Sequence, residues 1–223
     1  MNRLILTYKY PITFAILAIL AWVVYRYFLM GGSQLITFVV VAVLVWGLGT
    51  CVFLYFWPSM TYSAYKRAVV QHGLGGDPIP INTLYAVPKL ASPSAPTSSL
   101  LATGTDDVLY VGGWLDLAFG PHVLHVPDMA GRYYSVQFTD PSDGTDFAYV
   151  GTRTTGSDAG DYLLSGPGWK GTVSQAMTQI ASPHKSVLVI GRVFVESDRD
   201  LPTAYGLAKL IQLTELRRWQ PGQ

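Results

Sequence analysis

Residues 106–140 read DDVLYVGGWLDLAFGPHVLHVPDMAGRYYSVQFTD. Three short runs rich in Val, Leu, Tyr and Phe (Val108–Leu117, His122–Val126 and Arg132–Thr139) are cut apart by Gly120-Pro121 and Pro127-Asp128. β-Branched and aromatic residues suit a pleated, half-buried surface, and Gly, Pro and Asp suit tight turns. The rhythm continues through Phe147–Val150, Asp161–Leu164 and Lys185–Val195, with turn residues at 140–144, 151–160 and 166–171. Val173–Ile180 reads as a weaker strand. Strands at this spacing predict an all-β domain over 106–223, an antiparallel sandwich or jelly roll. A helix is expected to close it, capped by Asp198 or Asp200, with Pro202 in its first turn and Leu207, Leu210 and Ile211 on its apolar face.

Upstream the composition is different. Charged residues make up 13% of the 223-residue chain, about half the usual share. The deficit is concentrated before Met60, where the only charges are Arg3, Lys9 and Arg26. Pro11–Met30 (PITFAILAILAWVVYRYFLM) and Leu35–Trp57 (LITFVVVAVLVWGLGTCVFLYFW) each reach the length of about 20 apolar residues that a bilayer crossing needs. In lipid an open backbone is far costlier than the β-branched residues are to a helix, so helices are expected. Only Gly31, Gly32, Ser33 and Gln34 separate the runs, which predicts a transmembrane hairpin over 1–58, with helices at about 11–30 and 35–57. The first run is too long, and too aromatic near Arg26, for a cleaved signal. Met60–His72 is expected to be a short juxtamembrane helix with Tyr62, Tyr65 and Val69 on one face. Pro88–Thr105 reads as linker, so 59–105 joins anchor to domain.

Beyond Met60 the 14 acids meet 12 bases, so no basic surface is available for nucleic acid. The one cysteine, Cys51, lies in an apolar run and has no partner for an internal disulfide. Arg3, Lys9, Lys66 and Arg67 flank the chain-end side of the hairpin, and only Arg26 lies toward its tip, so the positive-inside rule favours a cytoplasmic β domain.

Polar residues capable of chemistry cluster at Asp116, His122, His125, Asp128 and Arg132. Asp116, Asp128 and Arg132 are the catalytic candidates. His122, Arg153 and Trp169 are the candidates for ligand or partner binding. His122 and His125 have a metal-pair spacing, yet on a strand residues three apart face opposite sides, and no metal or cofactor is assigned. Asp140, Asp143 and Asp146 lack the alternation of a calcium loop and read as an Asx-rich turn. Gly151-Thr-Arg-Thr-Thr-Gly156 either holds an anion through Arg153 and backbone N–H groups, or is a structural turn with Arg153 paired to a carboxylate. Gly166-Pro-Gly-Trp-Lys-Gly171 is no phosphate loop, and Trp169 reads as a packing anchor or a ligand platform. No Gly-x-Ser-x-Gly elbow or His-Glu-x-x-His occurs.

The run Leu109–Gly171 carries a resemblance. LYVGGWLDLAFGPHVLHVPDMAGRYYSVQFTD, then GTRTTG, then AGDYLLSGPGWKG, preceded by Asn82-Thr83-Leu84 and closed by Ile190-Gly191-Arg192, resembles the bacterial family called domain of unknown function 1254. The resemblance implies a β-rich domain, often exported to the periplasm and often followed by a second β domain, numbered 1214. A separate companion protein is expected to supply that second domain here. Gly104-Thr105-Asp106-Asp107 departs from the Asn-rich segment of relatives, and the two-helix anchor departs from their single export signal. The expected location is the bacterial inner membrane, multi-pass, with the β domain cytoplasmic by charge or periplasmic by resemblance. Three functions stay open, in this order. The first is a membrane-anchored, non-catalytic subunit docking a partner at the bilayer surface. The second is an enzyme acting on a polymer, lipid or small apolar substrate, and the third an accessory subunit of a transporter.

Overall fold

A computed structural model describes residues 18–19, 21–26, 34–73, 77–90 and 105–220. The chain divides into two units, Met1–Thr61 and Tyr62–Gln223.

In the first unit the dominant element is the N-terminal part of helix α1, Gln34–His72. Its most apolar stretch has a mean hydropathy of 2.5, with none of it buried, and it is long and apolar enough to cross a membrane. Phe38, Trp46 and Leu54 all stand exposed, so the helix is apolar all round and presents no single stripe. Residues 21–26 of the first expected span are helical. The rest of that span, and with it the hairpin turn, lies outside the described residues.

The expectation of one helix ending at Trp57 and another starting at Met60 is corrected: α1 runs through Pro58. Proline removes one N–H from the ladder and leaves the carbonyl four residues earlier unpaired, a local defect that the flanking turns outweigh. The helix stops at Gly73, whose left-handed backbone (φ 61°) sends its N–H back to the Val69 carbonyl at 3.0 Å. A side chain there would run into the Asp77 carbonyl.

The second unit is two β-sheets enclosing one core. The strands are β1 (Tyr85–Ala86), β2 (Val108–Asp116), β3 (His122–Val126), β4 (Tyr134–Asp140), β5 (Thr145–Gly151), β6 (Gly160–Ser165), β7 (Met177–Ala181), β8 (Ser186–Phe194) and β9 (Gln212–Glu215). One sheet has the order β1-β2-β8-β4-β5, the other β7-β6-β3-β9. Period-two alternation sends Leu109, Val111 and Leu115 of β2, Tyr134, Val136 and Phe138 of β4, and Val187, Val189 and Val193 of β8 inward against Leu124, Val126 and Leu164 of the second sheet. Each such side chain contributes on the order of 1.5–3 kcal/mol. Helix α2 (Leu201–Leu210) adds Ala204 and Ala208 to this core.

Three expectations change. The fold is not wholly antiparallel, because β7 pairs with β6 in parallel. The weak run at 173–180 becomes a strand only from Met177, on the sheet edge where few side chains need burial. The C-terminal helix does not close the domain: Ile211 turns extended (φ −75°, ψ 107°) and β9 follows, pairing with β3. Asp200 does occupy the N-cap of α2, but its side chain makes no capping bond.

The outer face of the five-stranded sheet has two halves. Over β2 and β8, Tyr62, Tyr65 and Val69 from the last turns of α1 pack on Trp114 and Leu188, while Ile79 and Val87 pack with Val108 and Tyr110. Over β8, β4 and β5 the alternation leaves Arg192, Ser135, Gln137 and Tyr149 facing outward.

Candidate functional site

That second half forms a cleft of about 380 Å³, whose walls include Tyr133, Ser135, Tyr149, Gly151, Arg153 and Arg192. Strand register builds its floor. Arg192 on β8 and Gly151 on β5 are both cross-strand partners of Ser135 on β4, so one rung carries all three. Gly151 is required there, since a Cβ would lie 2.5 Å from the Tyr134 carbonyl.

The turn that follows is wound by its threonines. The Thr154 and Thr155 N–H groups donate to the Gly151 carbonyl at 2.9 and 2.8 Å. Thr152 Oγ1 accepts from the Tyr134 N–H, and Thr155 Oγ1 accepts from the Gly151 N–H, each at 3.1 Å. With these donors spent on the turn itself, the cradle of free N–H groups is not formed. Arg153 is the residue of the motif left facing outward, its guanidinium 5.4 Å from the centre of the Tyr133 ring. Among the described residues it has this ring as its partner and no carboxylate.

Arg192 is positioned by neutral groups. It donates to Gln137 Oε1 at 2.9 Å and lies 5.7 Å from the Tyr110 ring centre. Gln137 in turn donates to Asp146 at 2.8 Å, and Asp146 also accepts from Thr139 and from the Tyr149 hydroxyl. Burial alone would push the Asp146 carboxyl up. The bonds from Thr139, Tyr149 and Gln137, with the nearby Arg192 charge, outweigh it and hold the carboxyl below its usual range. The same bond to Asp146 raises the Tyr149 phenol.

The sequence candidates fall in separate places. Asp116 ends β2, accepts from the Ala118 N–H at 3.0 Å and lies 3.8 Å from Lys66 Nζ. Asp128 closes its own Asx turn on the Ala130 N–H at 2.8 Å. Arg132 grips Asp200 with two bonds of 2.5 and 2.6 Å and donates to the Phe194 carbonyl at 2.7 Å. Each has its own partner, and the three do not converge. Trp169 packs beside Val123, Leu163 and Met177 on the outer face of the second sheet. His122 is buried; its Nδ1 meets the Gly120 carbonyl at 3.1 Å, and burial lowers its pKa, so it is neutral near pH 7. His125 faces the other way, 2.8 Å from Asp161, as strand alternation requires. Among the described residues no three His, Cys, Asp or Glu side chains stand close enough to hold one metal ion.

Of the cleft, only Arg153 was a site candidate from sequence. Arg192 carried a usable signal: it is the lone charge inside the apolar run Val187–Val195, at an outward phase. Tyr149 carried none, because its place depends on pairing with Gln137 across the β4–β5 turn.

The family described as "Protein of unknown function (DUF1254)" matches residues 81–215. No curated protein matches the chain. Among solved structures, the VPA0106 protein of Vibrio parahaemolyticus is 22% identical over 76% of this chain, with a TM-score of 0.56, and shares the fold. A putative uncharacterised protein of Burkholderia cenocepacia is 12% identical over 62% of this chain and 36% of its own, with a TM-score of 0.36. The chain spans 40% of the length of the Vibrio protein.

Proposed function

The chain belongs to the DUF1254 family, and we propose that within it this protein is a membrane-anchored, non-catalytic subunit whose β domain docks a partner protein at the bilayer surface. The observation that carries the reading is the half of the five-stranded sheet that none of the described elements covers. Tyr133, Tyr149 and Phe194 are exposed there beside Arg153 and Arg192. Tyr and Arg are the residue types that most often anchor protein interfaces, because they bring large area and hydrogen bonding at low entropic cost. The anchor is α1, apolar on every side. As the partner we take a companion carrying a second β domain of the 1214 type, the domain that the family resemblance implies. The same reading takes 11–30 as a second crossing in a bacterial inner membrane. Reporter fusions at the C-terminus decide between the cytoplasmic side favoured by charge and the periplasmic side implied by the family.

Photo-crosslinking tests the docking. With p-benzoylphenylalanine at Tyr149 in intact membranes, we expect one discrete adduct whose mass spectrum identifies a β-domain protein. The same probe at Thr178, exposed on β7, should yield none. No adduct at 149, or the same adducts from both positions, would remove the basis for this reading.

A further inference from the structure

We propose that the cleft over β8, β4 and β5 is a binding site for a small organic oxyanion, a carboxylate or a phosphate carried on a flat or ring-shaped body. The inference goes beyond partner docking and does not require it. Two guanidiniums line one cleft, Arg192 from the floor and Arg153 from the turn after Gly151. Two cations lining one cleft focus a positive potential that favours an anion between them. Four other cations have carboxylate partners: Arg132 with Asp200, Arg217 and Arg218 with Glu215, Lys66 with Asp116. The two cleft arginines are instead held by neutral groups, Gln137 and the rings of Tyr110 and Tyr133. The acid whose charge reaches Arg192 is Asp146, and its oxygens already accept from Thr139, Gln137 and Tyr149. Both guanidiniums therefore keep donors for a ligand.

The rest of the cleft suits the body of such a molecule. Planar guanidinium forks recognise carboxylate and phosphate oxygens through paired bonds. Ser135 adds a hydroxyl on the rung between Arg192 and Gly151, and the exposed Tyr133 and Tyr149 rings supply apolar walls. A volume of 380 Å³ falls within the range of about 300–1,000 Å³ typical of small-molecule sites.

Calorimetric titration of the full chain in detergent micelles tests this, with phenyl phosphate, benzoate and the neutral benzyl alcohol as probes. We expect saturable binding of at least one anion, with benzyl alcohol at least about tenfold weaker. Arg153→Gln and Arg192→Gln should each weaken the anion about tenfold, with circular dichroism unchanged and Arg153→Lys retaining part of the affinity. Arg153 sits on an exposed turn and supports no strand, so its variant tests the site without risk to folding. Which anion binds more tightly assigns the charged group. No saturable heat from either anion up to about 10 mM, equal binding of the alcohol, or unchanged affinity in both Gln variants overturns the proposal. The titration uses the isolated chain, so its failure leaves partner docking standing, and an absent crosslink leaves the anion site standing.

Discussion

Arg132 and Asp200 show how one ion pair ties distant parts of the β domain together. The guanidinium reaches from the turn before β4 to the N-cap of α2 and also holds the Phe194 carbonyl at the end of β8. The Arg132 bond, then the Glu196 N–H, hold the Asp200 carboxyl down at about 2, against an ordinary 3.8. A depressed carboxyl contributes stability that is present above its unfolded value and is lost as pH falls through the folded one. Asp200→Asn should therefore be less stable than the unaltered chain at neutral pH, with the gap closing between about pH 4 and pH 2. Denaturation curves across that window check it; a gap independent of pH would show that the pair is not what titrates. At this scale the sequence was legible in part. Asp116, Asp128 and Arg132 are close along the chain, but β3 lies between the first two and a turn between the last two, and each has a different partner. Arg153 was visible because two glycines frame its turn, yet the companion that gives it meaning, Arg192, comes from a strand that only long-range pairing brings near.

Among the elements, the segment before β1 is held by a residue in an uncommon conformation. Asn82 has φ 66°; its N–H donates to the Trp114 carbonyl at 2.8 Å, and its side-chain oxygen accepts from the Asp116 N–H at 2.7 Å. Its neighbour Thr83 approaches β2 so closely that a Cβ on Gly113 would lie 2.1 Å from the Thr83 carbonyl. Asn tolerates the left-handed region better than most residues. Asn82→Ala should cost roughly 2–3 kcal/mol, from backbone strain plus the lost bond, and Asn82→Gly roughly 1 kcal/mol less. Equal loss of melting temperature in the two variants would mean that the strain contributes nothing. The strands from 106 onward were readable because their alternation is long and clean. Residues 212–215 were not, because four residues after a helix carry too little pattern to announce a strand. Nor was the parallel β6–β7 pair, since alternation fixes which face a residue takes but not the direction of its neighbour.

For the molecule as a whole, the unburied apolar helix is the feature with a bulk consequence. The chain should remain in the membrane pellet after an alkaline carbonate wash, because no part of its most apolar stretch is covered by protein. Release into the supernatant would remove the anchor from the proposed function. A helix long and apolar enough to cross a membrane was legible from composition alone, since the run from Leu35 to Trp57 carries no charge. The strand pairings also carry a cost in time. β2 ends at Asp116, while the neighbour that covers its length, β8, begins only at Ser186; β3 ends at Val126 and waits for β9 at Gln212. At about 5–20 residues per second of synthesis, β2 leaves the ribosome several seconds before β8 exists, and β3 several seconds before β9. Through that interval the edges of β2 and β3 that β8 and β9 will cover are open to other chains, so the growing polypeptide stays exposed to aggregation until residues 186–215 have been made.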